Sequence, residues 1–300
     1  MSSFSYIDIH SHVNFVAFDA DREATITRAL DAGVAMINVG TQQDTSRKAV
    51  ELAEKYEQGV YAIVGLHPVH TSKSFHDEKE LGEGGKEFTS RGEVFENAYY
   101  LELAKHPKVL GIGECGLDYY HDTNPRMGSN DTNKIQEEAF RKQIELAISV
   151  KKPLMLHLRN PSTSSGQAVS GRSAYNDAFS ILNSYFISHG ASLRGNLHFF
   201  AGSIEEAKPF LELGFTFSFT GVVTFAKDYE TIVKFLPLDR ILSETDSPYV
   251  TPAPYRGKRN EPLYVQEVVK AIARIRGEDE EAVRTQIIKN AEELFSISLS

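Results

Sequence analysis

The stretch "SYIDIHSH", residues 5–12, is a short apolar run that ends in two histidines, His10 and His12. Side chains alternate between the two faces of a β-strand, so residues i and i+2 lie on the same face. If the run is a strand, the two imidazoles point the same way and can bind one cation together. An H-x-H pair alone is a weak motif, so its meaning depends on what the other strands carry.

Seven more short apolar runs follow along the chain, separated by longer segments. They lie at 34–39, 60–66, 109–114, 153–158, 194–200, 214–219 and 240–246. Apolar residues fill these runs without alternation, which is typical of parallel strands buried on both faces. Helical periodicity predicts helices between and after them at 22–33, 133–150, 173–189, 262–275 and 279–295.

Eight strand-then-helix units in 300 residues predict an α/β protein, a (β/α)8 TIM barrel in which residues 1–300 form a single domain. A doubly wound sheet is the alternative, but it normally has a glycine-rich phosphate turn after its first strand, and "HSHVNF" (10–15) has no such turn. The polar segments 71–92 and 160–173 are longer than the barrel needs. They are predicted to be exposed loops on the side where barrel enzymes have their active sites.

The composition predicts a soluble protein of a reducing compartment, by default the cytoplasm. No apolar run is long enough to span a bilayer, the N-terminus has no signal-peptide pattern, and Cys115 is the one cysteine. The formal net charge of −9 argues against a protein that coats long nucleic acid by bulk electrostatics. It suits a site that concentrates divalent cations.

Histidine or carboxylate side chains stand at the C-terminal ends of six of the eight predicted strands. They are His10, His12, His67, Glu114, His157, His198 and Asp246. Because the C-terminal ends of barrel strands meet at one mouth, we expect these nitrogen and oxygen donors to converge there on divalent metal. A single histidine at a strand end is more often structural, so the prediction depends on the joint pattern.

Two cations are predicted to share this mouth. His10 and His12 hold the first. Glu114, from a strand about halfway round, bridges it to a second cation held by His157 and His198. Two cations about 3.5–4 Å apart can stabilise both the entering and the leaving oxygen of a phosphoryl transfer.

Asp246 and Glu114 are the predicted catalytic residues of this centre. Asp246 reaches the first cation from the last strand, where it is also expected to orient a water molecule and accept its proton. His67, in "GLHP", is predicted to contact the substrate or a group bound to the metal, with the role of a metal ligand as the alternative.

The motifs, in this order, resemble those of the TatD family of metal-dependent deoxyribonucleases, within the amidohydrolase-like barrels. The resemblance covers nearly the whole chain and lies in "IDIHSHVNF", "VGLHP", "GIGECGLDYY", "QEEAFRKQIELA", "PLMLHLR", "LSETDSPYVTPAPYRGKRNEP" and "KNAEELF". It implies the same six metal ligands and 3′-to-5′ exonuclease activity on the phosphodiester bonds of single-stranded DNA. It also implies one or two ions of magnesium or zinc, and manganese is a third candidate. Neither a membrane nor an obligate protein partner is expected.

Two segments are predicted to hold the DNA. Arg256 and Asn260 lie in "YRGKRN" (255–260), directly after the last strand, where Arg256 can contact phosphates and Asn260 can fix the loop or contact a sugar. Arg159 lies two residues after His157 and is predicted to clamp the scissile phosphate. A solvated basic turn is the alternative for 255–260.

Two other functions stay open at the level of the sequence. A small-molecule amidohydrolase or esterase uses a similar metal barrel, although such enzymes often have a carboxylated lysine as the bridging ligand, where this chain has Glu114. A non-catalytic, metal-containing interaction protein is the other, and it has no need for six convergent donors.

Overall fold

The computed structural model describes residues 4–73, 75–76, 88–89, 92–120, 129–161, 173–190 and 193–299. Most of the two predicted loops, at 71–92 and 160–173, lies outside these residues, so their exposure stays a prediction. Within the first of them, Phe75–His76 pairs antiparallel with Phe88–Thr89. This short ladder was not predicted, because the polar and glycine-rich sequence around it has no strand pattern.

Eight parallel strands form one sheet whose spatial order follows the chain. They are β1 (Tyr6–Ser11), β2 (Val34–Val39), β3 (Val60–Val64), β4 (Val109–Asp118), β5 (Leu154–Arg159), β6 (Gly195–Leu197), β7 (Thr216–Phe219) and β8 (Ile241–Ser243). The chain after β8 closes the sheet onto β1, because Asp246 N donates to His10 O at 2.9 Å and His12 N donates to Ser247 O at 2.8 Å. The predicted TIM barrel is confirmed.

Nine α-helices surround the barrel in the part of the chain that the structure describes. They are α1 (Arg22–Asp31), α2 (Gln43–Glu54), α3 (Asn97–Ala104), α4 (Ser129–Val150), α5 (Ala174–His189), α6 (Ile204–Glu212), α7 (Tyr229–Phe235), α8 (Val265–Arg276) and α9 (Glu280–Phe295). Five of them match the predicted helices closely. No described helix is long and apolar enough to cross a membrane.

The strands are packed on both faces, as continuous apolar runs predict. Met36 and Ile37 are neighbours in β2 and face opposite sides of the sheet, yet both are fully buried. Burying each such side chain contributes about 1.5–3 kcal/mol. The barrel is therefore a rigid frame for the polar side chains at its C-terminal end.

Two strand ends differ from the prediction and shape the site. β4 continues past Glu114 to Asp118, because it goes on pairing with β5 as far as Arg159. Glu114 therefore lies inside a strand. β8 ends early, at Ser243, so that Asp246 belongs to the segment that closes the barrel.

Candidate metal centre

One group of donors lies where β8 meets β1, and we call it the first half of the centre: His10, His12 and Asp246. The Nε2 atoms of His10 and His12 are 3.2 Å apart, so the two imidazoles share a face of β1, as the H-x-H spacing predicts. Asp246 Oδ1 lies 3.4 Å from His12 Nε2 and 3.8 Å from His10 Nε2. One donor atom from each of the three residues falls within 4.8 Å of the other two, close enough to hold one ion.

A second group lies next to it at the ends of β5 and β6, and we call it the second half: His157 and His198. Glu114 stands between the halves with one oxygen towards each. Its Oε1 is 2.9 Å from His157 Nδ1 and 2.8 Å from His198 Nε2, while its Oε2 is 3.3 Å from His10 Nε2. A carboxylate in this position can bridge two cations. The rings of His10 and His198 stack at 3.9 Å, so the two halves are in contact.

Outer partners fix which nitrogen of three imidazoles offers a lone pair. His12 Nδ1 is 2.9 Å from Val39 O, a carbonyl that can only accept, so the proton of the neutral ring is on Nδ1 and Nε2 is free to bind metal. His198 Nδ1 faces Glu244 Oε2 at 3.3 Å in the same way. His157 has the opposite tautomer. Its Nε2 contacts Asp118 Oδ2 at 2.7 Å and carries the proton, so Nδ1 offers the lone pair.

His67 differs from these three histidines because its protonated nitrogen faces the centre. Its Nδ1 accepts a hydrogen bond from Val69 N at 3.1 Å, so the proton of the neutral ring is on Nε2. That Nε2 lies 3.3 Å from Glu114 Oε1 and is a hydrogen-bond donor. Since burial lowers the pKa of His67 to about 4, the ring is neutral at pH 7. The tautomer favours contact with a substrate or a bound group, which is the role predicted from "GLHP".

The centre is built to hold positive charge around an ionised Glu114. Burial raises the pKa of this carboxyl, but His198, His67 and His10 outweigh that effect and bring it well below its usual value. Burial also lowers the pKa of His198, yet Glu114 and Glu244 raise it well above its usual value. The negative groups thus attract protons or cations to the imidazoles between them.

Donor set and geometry together fit divalent metal. The described residues provide three overlapping groups of His, Glu and Asp donors. Imidazole nitrogens and carboxylate oxygens are the usual ligands of zinc, and carboxylate oxygens those of magnesium and manganese. His10 Nδ1, fully buried, has no hydrogen-bond partner among the described residues, and the nearest carboxylate oxygen, on Glu244, is 3.8 Å away. Because Nδ1 of His10 has no partner that requires its lone pair, the neutral ring can carry its proton there and offer the lone pair of Nε2 to an ion.

Sequence reasoning missed the two outer carboxylates, Asp118 and Glu244. Asp118 is 6% exposed and Glu244 is fully buried. The signal was the strand alternation that the histidine pair uses. Asp118 comes four residues after Glu114 and therefore shares its face of β4. Glu244 comes two residues before Asp246 in the predicted strand 240–246, although both residues follow the end of β8 in the structure.

The predicted substrate contacts occupy different environments. Asn260 is fully buried, and its Nδ2 donates to Thr245 O at 2.9 Å and to Tyr249 O at 2.6 Å. It therefore fixes the loop after β8, which is one of the two roles predicted for it, and its fully buried side chain does not support the other, contact with a sugar. Loop burial of this kind depends on tertiary packing that "YRGKRN" does not reveal.

Arg159 and Arg256 both lie on the side of the barrel where the centre opens. Arg159 is the last residue of β5 and its guanidinium lies 3.8 Å from the centre of the Tyr120 ring. Arg256 is exposed in the loop after β8 and lies 4.2 Å from the centre of the Phe225 ring. Each arginine covers an aromatic face, and their contact with substrate stays a prediction.

Comparison with known proteins agrees with the resemblance in the motifs. A TIM barrel with a candidate His/Glu/Asp metal site belongs to a broad class of barrel hydrolases. The sequence model of the TatD related DNases matches residues 7–296, so the chain belongs to the TatD DNase family. It is a metal-dependent hydrolase of that nuclease family.

Relatives match the chain along nearly its whole length. It is 36% identical to the uncharacterised metal-dependent hydrolase YabD of Bacillus subtilis, over 97% of this chain and 99% of that protein. It is 30% identical to the 3′-5′ ssDNA/RNA exonuclease TatD of Pantoea ananatis, with the same coverage. Among solved structures, the TatD homologue YjjV of Escherichia coli is similar with a TM-score of 0.76, 25% identity and 98% coverage of both chains.

Proposed function

We propose that this protein is a 3′-to-5′ exonuclease that hydrolyses the phosphodiester bonds of single-stranded DNA. The observation that carries the proposal is the position of Glu114, whose two oxygens face two separate groups of metal-binding side chains. The ssDNA/RNA exonuclease TatD of Pantoea ananatis, 30% identical over its length, supports the choice of substrate.

Six residues are proposed to bind one or two divalent cations. They are His10, His12, Glu114, His157, His198 and Asp246. Bound there, the cations supply Lewis acidity, which activates water and stabilises the charge of a phosphoryl transfer. The four imidazoles favour zinc over magnesium, because magnesium prefers an all-oxygen set.

Asp246 is proposed to be the proton acceptor. Its side chain is 14% exposed, against 4% for Glu114, so water reaches it more readily than the bridging carboxylate. Burial raises its pKa, but the hydrogen bond from the protonated ring of His12 and the charges of the neighbouring histidines outweigh this effect and lower it. The carboxylate is therefore ionised at neutral pH and can orient a water molecule and take its proton.

His67, Arg159 and Arg256 are proposed to contact the nucleic acid. The Nε2–H of His67 points into the centre and can donate to a phosphate oxygen. The two arginines can pair with phosphates through charge-assisted hydrogen bonds. The ring of Phe225, 45% exposed although Arg256 covers one of its faces, suits the stacking of an unpaired base, which tolerates any sequence.

The test is a degradation time course with single-stranded DNA labelled at the 5′ or the 3′ end. Metal-free protein is supplied with zinc, magnesium or manganese in turn. We expect 5′-labelled DNA to shorten step by step, and Asp246→Ala to lower the rate by about 10³-fold or more, because the proton acceptor and a ligand are lost together. Asp239→Ala is the matched control, since Asp239 is exposed at the opposite end of β8.

Two results would contradict the proposal. One is full activity of Asp246→Ala. The other is absence of DNA cleavage with every metal while a carboxylic ester is hydrolysed in an Asp246-dependent reaction. The second result would identify the small-molecule hydrolase that the sequence left open.

A further inference from the structure

Two buried glutamines of α4 hold the backbone of neighbouring strands. Gln143 Oε1 accepts from Leu66 N at 2.8 Å, and its Nε2 donates to Leu66 O at 2.9 Å. Gln136 does the same with Asp118, from N at 2.9 Å and to O at 3.1 Å. Both side chains are at most 4% exposed. Seven residues apart, they are two helical turns apart and lie on one face of α4.

Gln136 and Gln143 take the place of backbone hydrogen bonds beyond the point where β3 and β4 stop pairing. The ladder between β3 and β4 runs from the pair Ala62 and Val109 to the pair Val64 and Ile112. Leu66 lies beyond that ladder on the β3 side. A glutamine side chain carries the same donor and acceptor as a peptide unit, so it can complete a backbone at the place where a strand would.

The contact between Gln143 and Leu66 requires a residue without a side chain at position 65. A Cβ atom at Gly65 would lie 2.6 Å from Gln143 Oε1 and 2.6 Å from Gly113 O. Any side chain there would push the amide away from Leu66, and would also separate β3 from the residue before Glu114. The glycine in "VGLHP" therefore leaves space both for the contact between Gln143 and Leu66 and for the close packing of β3 against β4.

Each clamped residue is one step from a histidine that faces Glu114 Oε1. Leu66 directly precedes His67, whose Nε2 is 3.3 Å from that oxygen. Asp118 holds His157 Nε2 at 2.7 Å, and the other nitrogen of that ring is 2.9 Å from the same oxygen. Helix α4 is thus connected through two buried side-chain amides to His157 of the second half and to His67 beside it.

We propose that Gln136 and Gln143 are positioning residues of the metal centre. Gln136 sets Asp118 and, through it, the ring of His157, while Gln143 sets the ring of His67. The segment "QEEAFRKQ" (136–143) then has a function in the site although neither glutamine reaches the mouth. A contribution to stability alone is the rival explanation, and it predicts no change in metal affinity.

Asn290 provides a control for that rival explanation. It is 3% exposed, and its Nδ2 donates to Leu238 O and Ile241 O, both at 2.8 Å. Asn290→Leu breaks two buried amide contacts with the backbone at the N-terminal end of β8, far along the barrel from the mouth. It should lower the melting temperature about as much as Gln136→Met does.

The experiment titrates zinc into metal-free protein, with a competing chelator, and follows imidazole ¹⁵N signals in the metal-free state. We expect Gln136→Met to weaken the binding of one zinc ion by about tenfold, in the range found for outer-shell partners, and to shift the signals of His157. Gln143→Met should shift those of His67. Asn290→Leu should leave zinc affinity within about twofold.

The proposal is overturned for Gln136 if Gln136→Met binds zinc like wild type, or if Asn290→Leu weakens zinc binding equally. It is overturned for Gln143 if Gln143→Met leaves the His67 signals where they are in the wild type. If Gln136→Met does not fold, Gln136→Asn takes its place, because its amide is one methylene too short to reach both Asp118 N and Asp118 O and it adds no charge. No nucleic acid is present in these titrations. A failure of the proposed nuclease activity would therefore leave their outcome intact, and the reverse also holds.

Discussion

The two halves of the centre differ in where their carboxylates lie. In the first half a carboxylate is itself a candidate ligand, whereas in the second half the carboxylates lie behind the candidate ligands. The first half has a carboxylate of its own, Asp246, and the outer partner of His12 is a neutral carbonyl. The second half has no carboxylate of its own among the described residues. Instead Asp118 and Glu244 stand behind its two imidazoles. Glu114 is shared by both halves.

This difference determines how tightly each half should bind metal. A carboxylate in direct contact with a cation contributes its full charge, whereas one behind an imidazole acts by making that ring a stronger base. A stronger base also holds a proton more tightly. The first half should therefore bind its ion firmly over a wide pH range, and the second should be the weaker and more adjustable of the two.

The second half would not be the weaker of the two if His67 were its third ligand. Its tautomer presents an N–H, so we expect His67→Ala to leave zinc affinity within about twofold and to lower kcat by about 10²–10³-fold, since a positioned donor is lost. Metal titration and single-turnover cleavage measure the two effects. A loss of zinc affinity as large as that of His157→Ala would make His67 a ligand.

Lowering the pH should remove metal from the second half first. Hydrogen bonds to Asp118 and Glu114 overcome burial and raise the pKa of His157, and the pKa of His198 is raised as well. Below those pKa values, both protons must leave before metal binds, so affinity falls by up to about a hundredfold per pH unit.

The first half should respond less steeply to the same change. The pKa of His12 is raised by the hydrogen bond to Asp246 despite burial, but that of His10 is lowered by burial, so a single proton competes. We expect a fall of about tenfold per pH unit. Zinc titrations between pH 5.5 and 7.5, with proton release measured in two buffers, resolve the slopes. Equal slopes would remove the distinction between the halves.

Asp118→Asn tests the outer shell directly. The asparagine has almost the same shape, but if its Nδ2 faces His157 Nε2, the ring must place its proton on Nδ1, towards Glu114. We expect affinity for the ion of the second half to fall by about 10–100-fold and the first ion to be unaffected. Asp177→Asn is the control, because that carboxylate accepts from Tyr119 OH away from the centre.

A uniform loss at both sites in Asp118→Asn would show that the two halves are not independent. Wild-type affinity at both would show that Asp118 does not fix the tautomer of His157. Calorimetric titration of the metal-free protein separates these cases, provided that the two ions bind with different affinities.

Most of the fold was predictable because buried parallel strands are continuous apolar runs. β2 at Val34–Val39 was found to the residue. β4 was cut short at Glu114 because "CGLD" has glycine and a charge where a strand pattern needs apolar or β-branched residues. Its pairing with β5 overrides that local signal.

The part of the site that lies at the predicted strand ends could be predicted from the sequence. The predicted ligands do lie together at the mouth, and their roles as ligands stay predictions. Asp118 was missed although its spacing from Glu114 follows the alternation of side chains in β4. Glu244 was missed although it lies two residues before Asp246 in the predicted last strand. The amides of α4 could not be predicted, because a glutamine that pairs with a distant backbone looks like any other polar residue of a helix.

The smallest effects should come from the two arginines, which follow candidate ligands of different halves along the chain. Arg159 follows His157 of the second half, and Arg256 follows Asp246 of the first. Both are partly or fully exposed, so salt and water screen their charges. We expect either alanine variant to raise KM by about three- to tenfold, the loss of a charge-assisted contact worth about 1 kcal/mol, with little change in kcat.

Salt dependence separates a phosphate contact from a change of shape at the rim. Each contact removed from a single strand should reduce the slope of log KM against log salt concentration by about 0.7. Arg274→Ala, on the exposed face of α8, should leave that slope unchanged. If only one of the two variants, Arg159→Ala or Arg256→Ala, reduces the slope, the DNA strand contacts that arginine and not the other. An unchanged slope in both would assign the arginines to their aromatic partners alone, and the path of the strand would then have to be sought elsewhere on the rim.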